Sequence, residues 1–261
     1  MGASVVLSKF IIQGRVIYAL VIRELMSRYG RENIGFLWYV GEPVFLIGGV
    51  IILWSIRRGE SVHHMPIVGF ALTGYSMLTL WRHMIGFGIR SMRVNGGLLF
   101  HQNVKIIDTI IANVIMEALG IMTSFLVCFT ILYIFNLVNM IYDPLLMCTA
   151  YALMVFFNMG VLMFVGALCE QFDAADRLMQ PIMYFSLPVS GAFSLVSWLP
   201  ARAQELLLYF PMVHASEMFR AGFYGNEFVF HYDPIYLVIC GIVSNALGIT
   251  YLKYAEKHMA V

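Results

Sequence analysis

Apolar residues in this chain neither alternate nor recur in short stripes; they run on. Six stretches hold about twenty mostly apolar residues each, the length an α-helix needs to cross a hydrocarbon core of ~30 Å. They lie at 35–56, 66–87, 106–135, 144–168, 179–199 and 234–252. The third is long enough to tilt or to project beyond a bilayer. The fifth is broken by Pro188 and Gly191, meets Pro200, and regains apolar character only over 206–213. That pattern predicts a helix followed by short broken or re-entrant pieces, tolerated at membrane depth only where protein buries the freed backbone groups. Ahead of the first run, Leu7, Ile11, Tyr18, Ile22 and Leu25 share one helical line, with Lys9, Arg23, Glu24, Ser27 and Arg28 largely elsewhere. This predicts an imperfect amphipathic helix lying in the interface plane, the alternative being a leader docked on its own protein. Arg15 and the lack of a small-residue cleavage site argue against a secretory signal.

Composition agrees with the pattern and removes a soluble reading. The set AVILMFWYC makes up 61% of the 261 residues and charged residues only 12%, with a mean hydropathy of +0.81. Globular chains carry roughly 45–50% apolar residues even with glycine counted, and long charged side chains normally clothe their surfaces. The 16 Lys+Arg and 15 Asp+Glu nearly cancel, so no global charge recruits nucleic acid. Where the cations sit is more telling. With the N-terminus cytoplasmic, Lys9, Arg15, Arg23, Arg28, Arg31, Arg82, Arg90, Arg93, Lys105, Arg177, Lys253 and Lys257 share that side. Only Arg57, Arg58, Arg202 and Arg220 fall on the other. The positive-inside rule therefore places both termini in the cytoplasm. The expected fold is an all-α polytopic membrane protein of six transmembrane helices, with an N-terminal amphipathic interface helix and broken helices after span five. We read one membrane domain over 1–261: a cytoplasmic amphipathic segment (1–34), a six-helix region (35–252) and a cytoplasmic tail (253–261).

Chemistry is conspicuous by what the chain lacks. It has no Gly-Lys dipeptide, hence no Walker-type phosphate cradle, and neither HExxH nor GxSxG. Energy-driven work would need a nucleotide site on another chain, and no catalytic set is predicted. Cys128, Cys148, Cys169 and Cys240 are scattered without metal or disulfide spacing, and His63-His64 has no third ligand near it; no metal site is expected. Arg82, Arg90 and Arg93 share a helical face before Asn95-Gly96-Gly97. They read either as ordinary cytoplasmic anchoring or as a stripe attracting an anionic substrate. The segment 95–108 is cytoplasmic yet moderately apolar, which suits either a docking surface or a connector packed on its own protein. His214, Glu217 and Arg220 recur at i, i+3 and i+6, where Glu217 is in reach of both neighbours; an ion-pair network near the external interface is the favoured reading over a proton relay. Most aromatics belong to an interfacial belt, with Trp38, Tyr39 and Tyr184 preferred as lining of a polar conduit. Cys240, Ser244 and Gly248 form a small-residue stripe, a helix-packing device.

The run Arg23-Glu-Leu-Met-Ser-Arg28-Tyr29, continuing through Ile34-Gly35, Trp38 and Glu42-Pro43, resembles the opening signature of ABC-2 type export permeases. Asn95, Gly97, Leu98, Val104, Lys105 and Asp108, leading into Thr109–Ala112 and Glu117, are similar to the capsular polysaccharide branch of that family. So is Pro211-Met-Val-His214-x-x-Glu217-x-x-Arg220. Three motifs in order cover nearly the whole chain. Two departures stand out: Phe210 where the family often has Asn, and Asn103 and Ile106 where prolines flank Val-Lys.

The resemblance implies a transport subunit without its own nucleotide site, in the bacterial inner membrane. It implies pairing with a second copy and with two copies of a separate ABC ATPase, which binds ATP and Mg while this chain binds no cofactor. The cargo it implies is a capsular polysaccharide, often acidic and lipid-linked, passed on to periplasmic and outer-membrane export proteins. Coupling to the ATPase would fall to Asn95, Gly97, Leu98, Phe100, Val104, Lys105 and Asp108, with Arg23 and Arg28 on the amphipathic helix. The substrate path would run past Trp38, Tyr39, Arg82, Arg90, Arg93 and Tyr184. An O-antigen, teichoic-acid or small-molecule exporter of the same architecture is the alternative, and a membrane-bound transferase a remote one.

Overall fold

The computed structural model describes residues 2–29, 41, 44–53, 56, 61, 62, 65–95 and 105–259. Helix α1 (Gly2–Tyr29) comes first, then α2 (Val44–Leu53). A two-residue antiparallel pair, β1 (Ser61–Val62) with β2 (Met65–Pro66), leads directly into α3 (Ile67–Asn95). Two long helices follow, α4 (Ile106–Ile134) and α5 (Pro144–Gln171), then the shorter α6 (Asp173–Phe185). A 3-10 turn (Val196–Trp198) and α7 (Ala201–Leu207) connect to α8 (Pro211–Tyr224), and α9 (Pro234–Met259) closes the chain.

Local chemistry sets the helix ends. The N–H of Lys105 donates to Asp108 Oδ2 at 3.0 Å and fixes the first turn of α4. Ile106 opens that helix, a position where a proline would lose no intrahelical hydrogen bond, so the departure there leaves the helix start intact. At the far end Leu137 N–H bonds Leu132 O and Asn136 N–H bonds Tyr133 O. These are the paired closures of a Schellman stop, with Asn136 in the left-handed region at φ 56°. Asp143 caps α5, its Oδ1 accepting from Leu146 N–H at 3.0 Å, with Pro144 at the first helical position. Phe172 is extended and separates α5 from α6.

Among the described residues three helices are long and apolar enough to cross a membrane: α4, α5 and 234–257 of α9. They coincide with the runs 106–135, 144–168 and 234–252. Helix α3 holds the run 66–87 and at 29 residues is about 43 Å long, but it is less apolar. Thr73, Ser76, Thr79, Arg82 and His83 lie in it, and the Thr73 and Ser76 hydroxyls turn back onto the carbonyls of Gly69 and Leu72. That polarity is tolerated because α4, α5 and α8 pack around α3. Of the run 35–56, the described part contains α2, ten residues long. The run 179–199 is not one helix: α6 begins earlier, at Asp173, and stops at Phe185, and bends carry the chain to the 3-10 turn.

The core is built from α3, α4, α5 and α8. Phe125 of α4 meets Phe219 of α8 edge-on at 5.4 Å, and Phe129 meets Phe223 at 6.1 Å, geometries that aromatic quadrupoles favour. Helix α9 packs chiefly on α5. A Cβ on Gly160 would lie 2.4 Å from Asn245 N, and one on Gly248 would lie 2.5 Å from Gly160 O. The small-residue stripe thus lets two backbones touch, and Asn245 Nδ2 donates across the seam to Phe156 O at 2.7 Å. The other face of α9 exposes Ile235, Ile239, Ile242, Val243 and Leu247, a continuous apolar surface suited to lipid.

Helix α1 docks on α4. Leu20 and Glu24 are buried and Gln13 Nε2 donates to Asp108 Oδ1. The stripe read from the sequence is divided: Tyr18 stands 69% exposed and Ile11 is exposed with the neighbouring Ile12 and Met26, whereas Ile22 and Leu25 are half-buried. The helix therefore has two working faces, one against its own protein and one left apolar and open.

Candidate functional site

Helix α8 is buried on every side, His214, Glu217 and Arg220 included. A helix apolar or paired all round belongs in a core, and its polar side chains must find partners. They find backbone. The fully buried Arg220 donates to Gly191 O and, at 2.9 Å, to Ala192 O, and its guanidinium lies 4.1 Å from the centre of the Phe70 ring. Glu217 accepts from Val196 N–H at 3.2 Å and His231 N–H at 3.0 Å. His214 bridges two segments, Nε2 to Leu208 O at 2.8 Å and Nδ1 accepting from Asp233 N–H at 2.9 Å. An Nδ1 that accepts carries no proton, so these contacts assign the neutral Nε2–H tautomer. Ser216 adds a bond to Ser190 O. Among the described residues no salt bridge joins the three, although the charges of Glu217 and Arg220 act on one another inside the core. Each reaches out of the helix to the irregular segments around it, His214 and Glu217 sharing 231–233 and Glu217 and Arg220 sharing 191–196, as buried orphan backbone groups require.

Phe210 is the N-cap of α8 and makes no side-chain cap bond. The departure noted in the sequence therefore falls where an Asn side chain would accept from the first turn. Phe210→Asn is expected to stabilise the protein by about 1 kcal/mol, raising its midpoint of thermal unfolding in detergent. An unchanged or lower midpoint would show that the Phe210 ring contributes more than the missing cap.

A cleft of about 350 Å³ opens between α2, α3 and α6. Among the described residues its polar lining is Tyr75, Thr79, Arg82 and His83 of α3 and Gln180 of α6, with no carboxylate. Beside it the Arg82 guanidinium stands 5.7 Å from the centre of the Tyr184 ring, within cation–π range. Trp81 Nε1 donates to Ser186 Oγ at 3.2 Å and pins the end of α6 to α3. Two of the sequence-predicted path residues, Arg82 and Tyr184, are thus brought together. Trp38 and Tyr39 lie outside the described residues, as do the side chains of Arg90 and Arg93, whose backbone continues α3.

At the opposite end of the expected coupling segment, Lys105 is exposed while Asp108 is buried. Asp108 holds the α4 N-terminus and receives Gln13 of α1. Its role is to fasten the segment's end to two helices. Arg23 pairs with Glu24 at 3.9 Å on α1. Asn95 ends α3, whereas Gly97, Leu98, Phe100 and Val104 and the side chains of Arg28 and Asn95 lie outside the described residues.

One constellation escaped the reading of residues by pattern. Glu117, fully buried in α4, faces His83 of α3, Oε2 to Nδ1 at 3.5 Å. Asn113 and Asn158 are buried nearby on α4 and α5, and Asn158 donates to Met84 Sδ at 3.6 Å. A carboxylate inside a long apolar run is the signal that marks it, because such a residue is expensive at membrane depth. Its partner is 34 positions away and carries no local mark.

No protein-family model matches the chain. Individual proteins do. Over 246 residues it is 36% identical to the capsule polysaccharide export inner-membrane protein CtrC of Neisseria meningitidis serogroup B, covering 94% of this chain and 93% of that one. It is 35% identical over the same length, with the same coverage, to the capsule polysaccharide export inner-membrane protein BexB of Haemophilus influenzae. More distantly, it is 25% identical over 259 residues to the polysialic acid transport protein KpsM of Escherichia coli, spanning 97% of this chain and 98% of that protein. With so much of both partners aligned and all-helical, membrane-length elements in place, the chain belongs to the family of capsule polysaccharide export inner-membrane proteins.

Proposed function

We propose that this chain is the permease subunit of an ATP-driven exporter that moves capsular polysaccharide, acidic and lipid-linked, across the bacterial inner membrane. The observation that carries the reading is full-length similarity to the capsule export proteins. The absence of any Gly-Lys phosphate cradle from the sequence supports a division of labour in which ATP and Mg bind a separate ABC ATPase and this chain binds no cofactor. Two permeases and two ATPases make the unit, with periplasmic and outer-membrane export proteins beyond it. The single domain crosses the membrane six times, α2 and α3 belonging to the first two spans and α6 to the fifth, with α7 and α8 as re-entrant pieces and both termini cytoplasmic. The exposed apolar face of α1 lies in the interface plane.

Mechanistically, ATP closes the partner subunits, which press on the segment 95–108 and on α1. Because Asp108 ties that segment to both α1 and α4, the push reaches the spans directly and biases them between two states of channel access. The glycan passes the Arg82–Tyr184 side of the cleft, where a cation and an aromatic face suit an acidic sugar polymer.

Co-purification from native membranes in mild detergent, followed by mass spectrometry, tests the assembly. A Walker-containing ATPase recovered in equal amount is the expected result; a chain that emerges alone, in a host whose surface glycan persists without it, overturns the reading. Lys105→Glu tests coupling without disturbing the buried Asp108. Export is expected to fall about five-fold or more while ATP hydrolysis continues; normal export would remove Lys105 from the coupling surface.

A further inference from the structure

His83 follows Arg82 on α3 and lines the same cleft, with 14% of its side chain exposed. Its Nδ1 is turned to Glu117, and the Phe87 ring meets the imidazole edge-on at 5.0 Å. Its Nε2 has no protein partner among the described residues. Behind it, one turn before Glu117, neither end of the buried Asn113 amide bonds any of the described residues. A carboxylate at such depth marks function, and here it faces one nitrogen of a ring whose other nitrogen bonds none of the described residues.

We infer that Glu117 is a positioning residue: it holds the Nδ1 edge of His83 so that the imidazolium presents Nε2–H to the cleft, where His83 and Arg82 together bind an anionic oxygen group of the exported polysaccharide. The inference rests on the reading of this cleft as part of the substrate path. An imidazolium donates from both nitrogens, one toward Glu117 and one toward ligand. A carboxylate on the inner nitrogen fixes the orientation of the ring, as it does in metal and catalytic sites. Arg82 supplies the planar fork that carboxylates and phosphates prefer, and Gln180, Tyr75 and Thr79 supply neutral bonds for sugar hydroxyls. Among the described residues the lining holds no carboxylate to repel an acid, and its volume falls in the range of small-ligand pockets. The anionic group is a sugar acid of the chain or the phosphate of its lipid anchor; both offer the same oxygens to the same donors.

Binding to the full chain in phosphatidylcholine nanodiscs tests this with three probes. A hyaluronate octasaccharide carries sugar acids without lipid, dioctanoyl phosphatidic acid carries phosphate on lipid, and maltoheptaose is neutral. At least one acidic probe is expected to bind about ten-fold tighter than maltoheptaose, and which one does so identifies the source of the charge. His83→Gln and Glu117→Gln are each expected to weaken that probe about ten-fold, the loss of a charge-assisted bond, leaving maltoheptaose unchanged. Glu117→Gln combined with His83→Arg is expected to restore affinity, because arginine carries its charge without Glu117; a merely structural Glu117 would not be rescued. Failure of both acidic probes to bind overturns the inference. If Arg82→Gln leaves binding unchanged, the substrate-path reading of the cleft falls with it. If Arg82→Gln weakens binding and the His83 and Glu117 variants do not, only the positioning role falls. Should Glu117→Gln not yield monodisperse protein, His83→Gln and His83→Arg decide: loss in the first with retention in the second upholds the role, and equal affinity in both overturns it.

Discussion

Arg220→Ala is expected to leave little folded protein. The guanidinium is wholly enclosed, bonded to the carbonyls of Gly191 and Ala192 and stacked on Phe70. Those carbonyls lie in a stretch with no helix of its own, where Gly191 takes a left-handed φ of 72°. Removing the side chain strands two buried acceptors at about 1–3 kcal/mol each and forfeits a desolvated cation–π contact of about 2 kcal/mol. The sum approaches the whole stability of an ordinary domain. Arg220→Lys should fare only slightly better, since a single ammonium is not a fork that meets both carbonyls. Gly74→Ala makes an independent check: its Cβ would stand 2.4 Å from Arg220 Nη2 and 2.7 Å from Ala192 O, evicting the same contact without touching the charge. Size-exclusion profiles and thermal unfolding in detergent are the measurements. An Arg220→Ala protein that melts where the wild type does would show that the segment 186–198 is held by other means.

Gly160→Leu is expected to be the second severe lesion, separating α9 from α5. Moving a side chain aside would not make room: a Cβ at 160 would meet Ser244 Oγ at 2.5 Å, but also Asn245 N and Ser244 C at 2.4 Å, both backbone. The helices would have to part, losing the Asn245–Phe156 bond and the Ser244 contact to Phe157 O at 3.3 Å. Overpacking alone costs about 1–3 kcal/mol, and the broken bonds raise that. Gly14→Ala is the matched control, with nothing within 4 Å of its Cβ; exchanging glycine for alanine inside a helix should stabilise by about 1 kcal/mol. Equal thermal stability of Gly160→Leu and wild type would mean that the α5–α9 contact is not the tight one described.

What the sequence made legible follows from how local each signal is. Helices α4, α5 and α9 are continuous apolar runs, two of them opened by Asp-Pro at 143–144 and 233–234, and their limits need no knowledge of neighbours. The two halves of α6 are different. Its start at Asp173 depends on Phe172 turning extended, and its stop at Phe185 precedes Pro188, so hydropathy alone shifted it by six residues at one end. On α8 the spacing of His214, Glu217 and Arg220 invited pairing within the helix, the only partners a local pattern offers. Their actual partners, at 191, 192, 196, 208, 231 and 233, are brought in by tertiary folding. The apolar line on α1 is split between an exposed and a half-buried part, and the docked face includes Gln13, whose partner Asp108 is 95 positions away. Arg82 was visible as a charge in an apolar run; that it has a histidine and a buried glutamate behind it was not.

The glycine contact between α5 and α9 also has a kinematic meaning. Two helices whose main chains touch have no room to slide or to rotate about their own axes, so the pair behaves as a single strut. Any cycle that opens and shuts a passage must then take its stroke elsewhere, and the seam between α3 and α6, where a cleft already separates the helices and the Trp81–Ser186 bond and Arg82–Tyr184 contact span them, is the joint with the freedom to move.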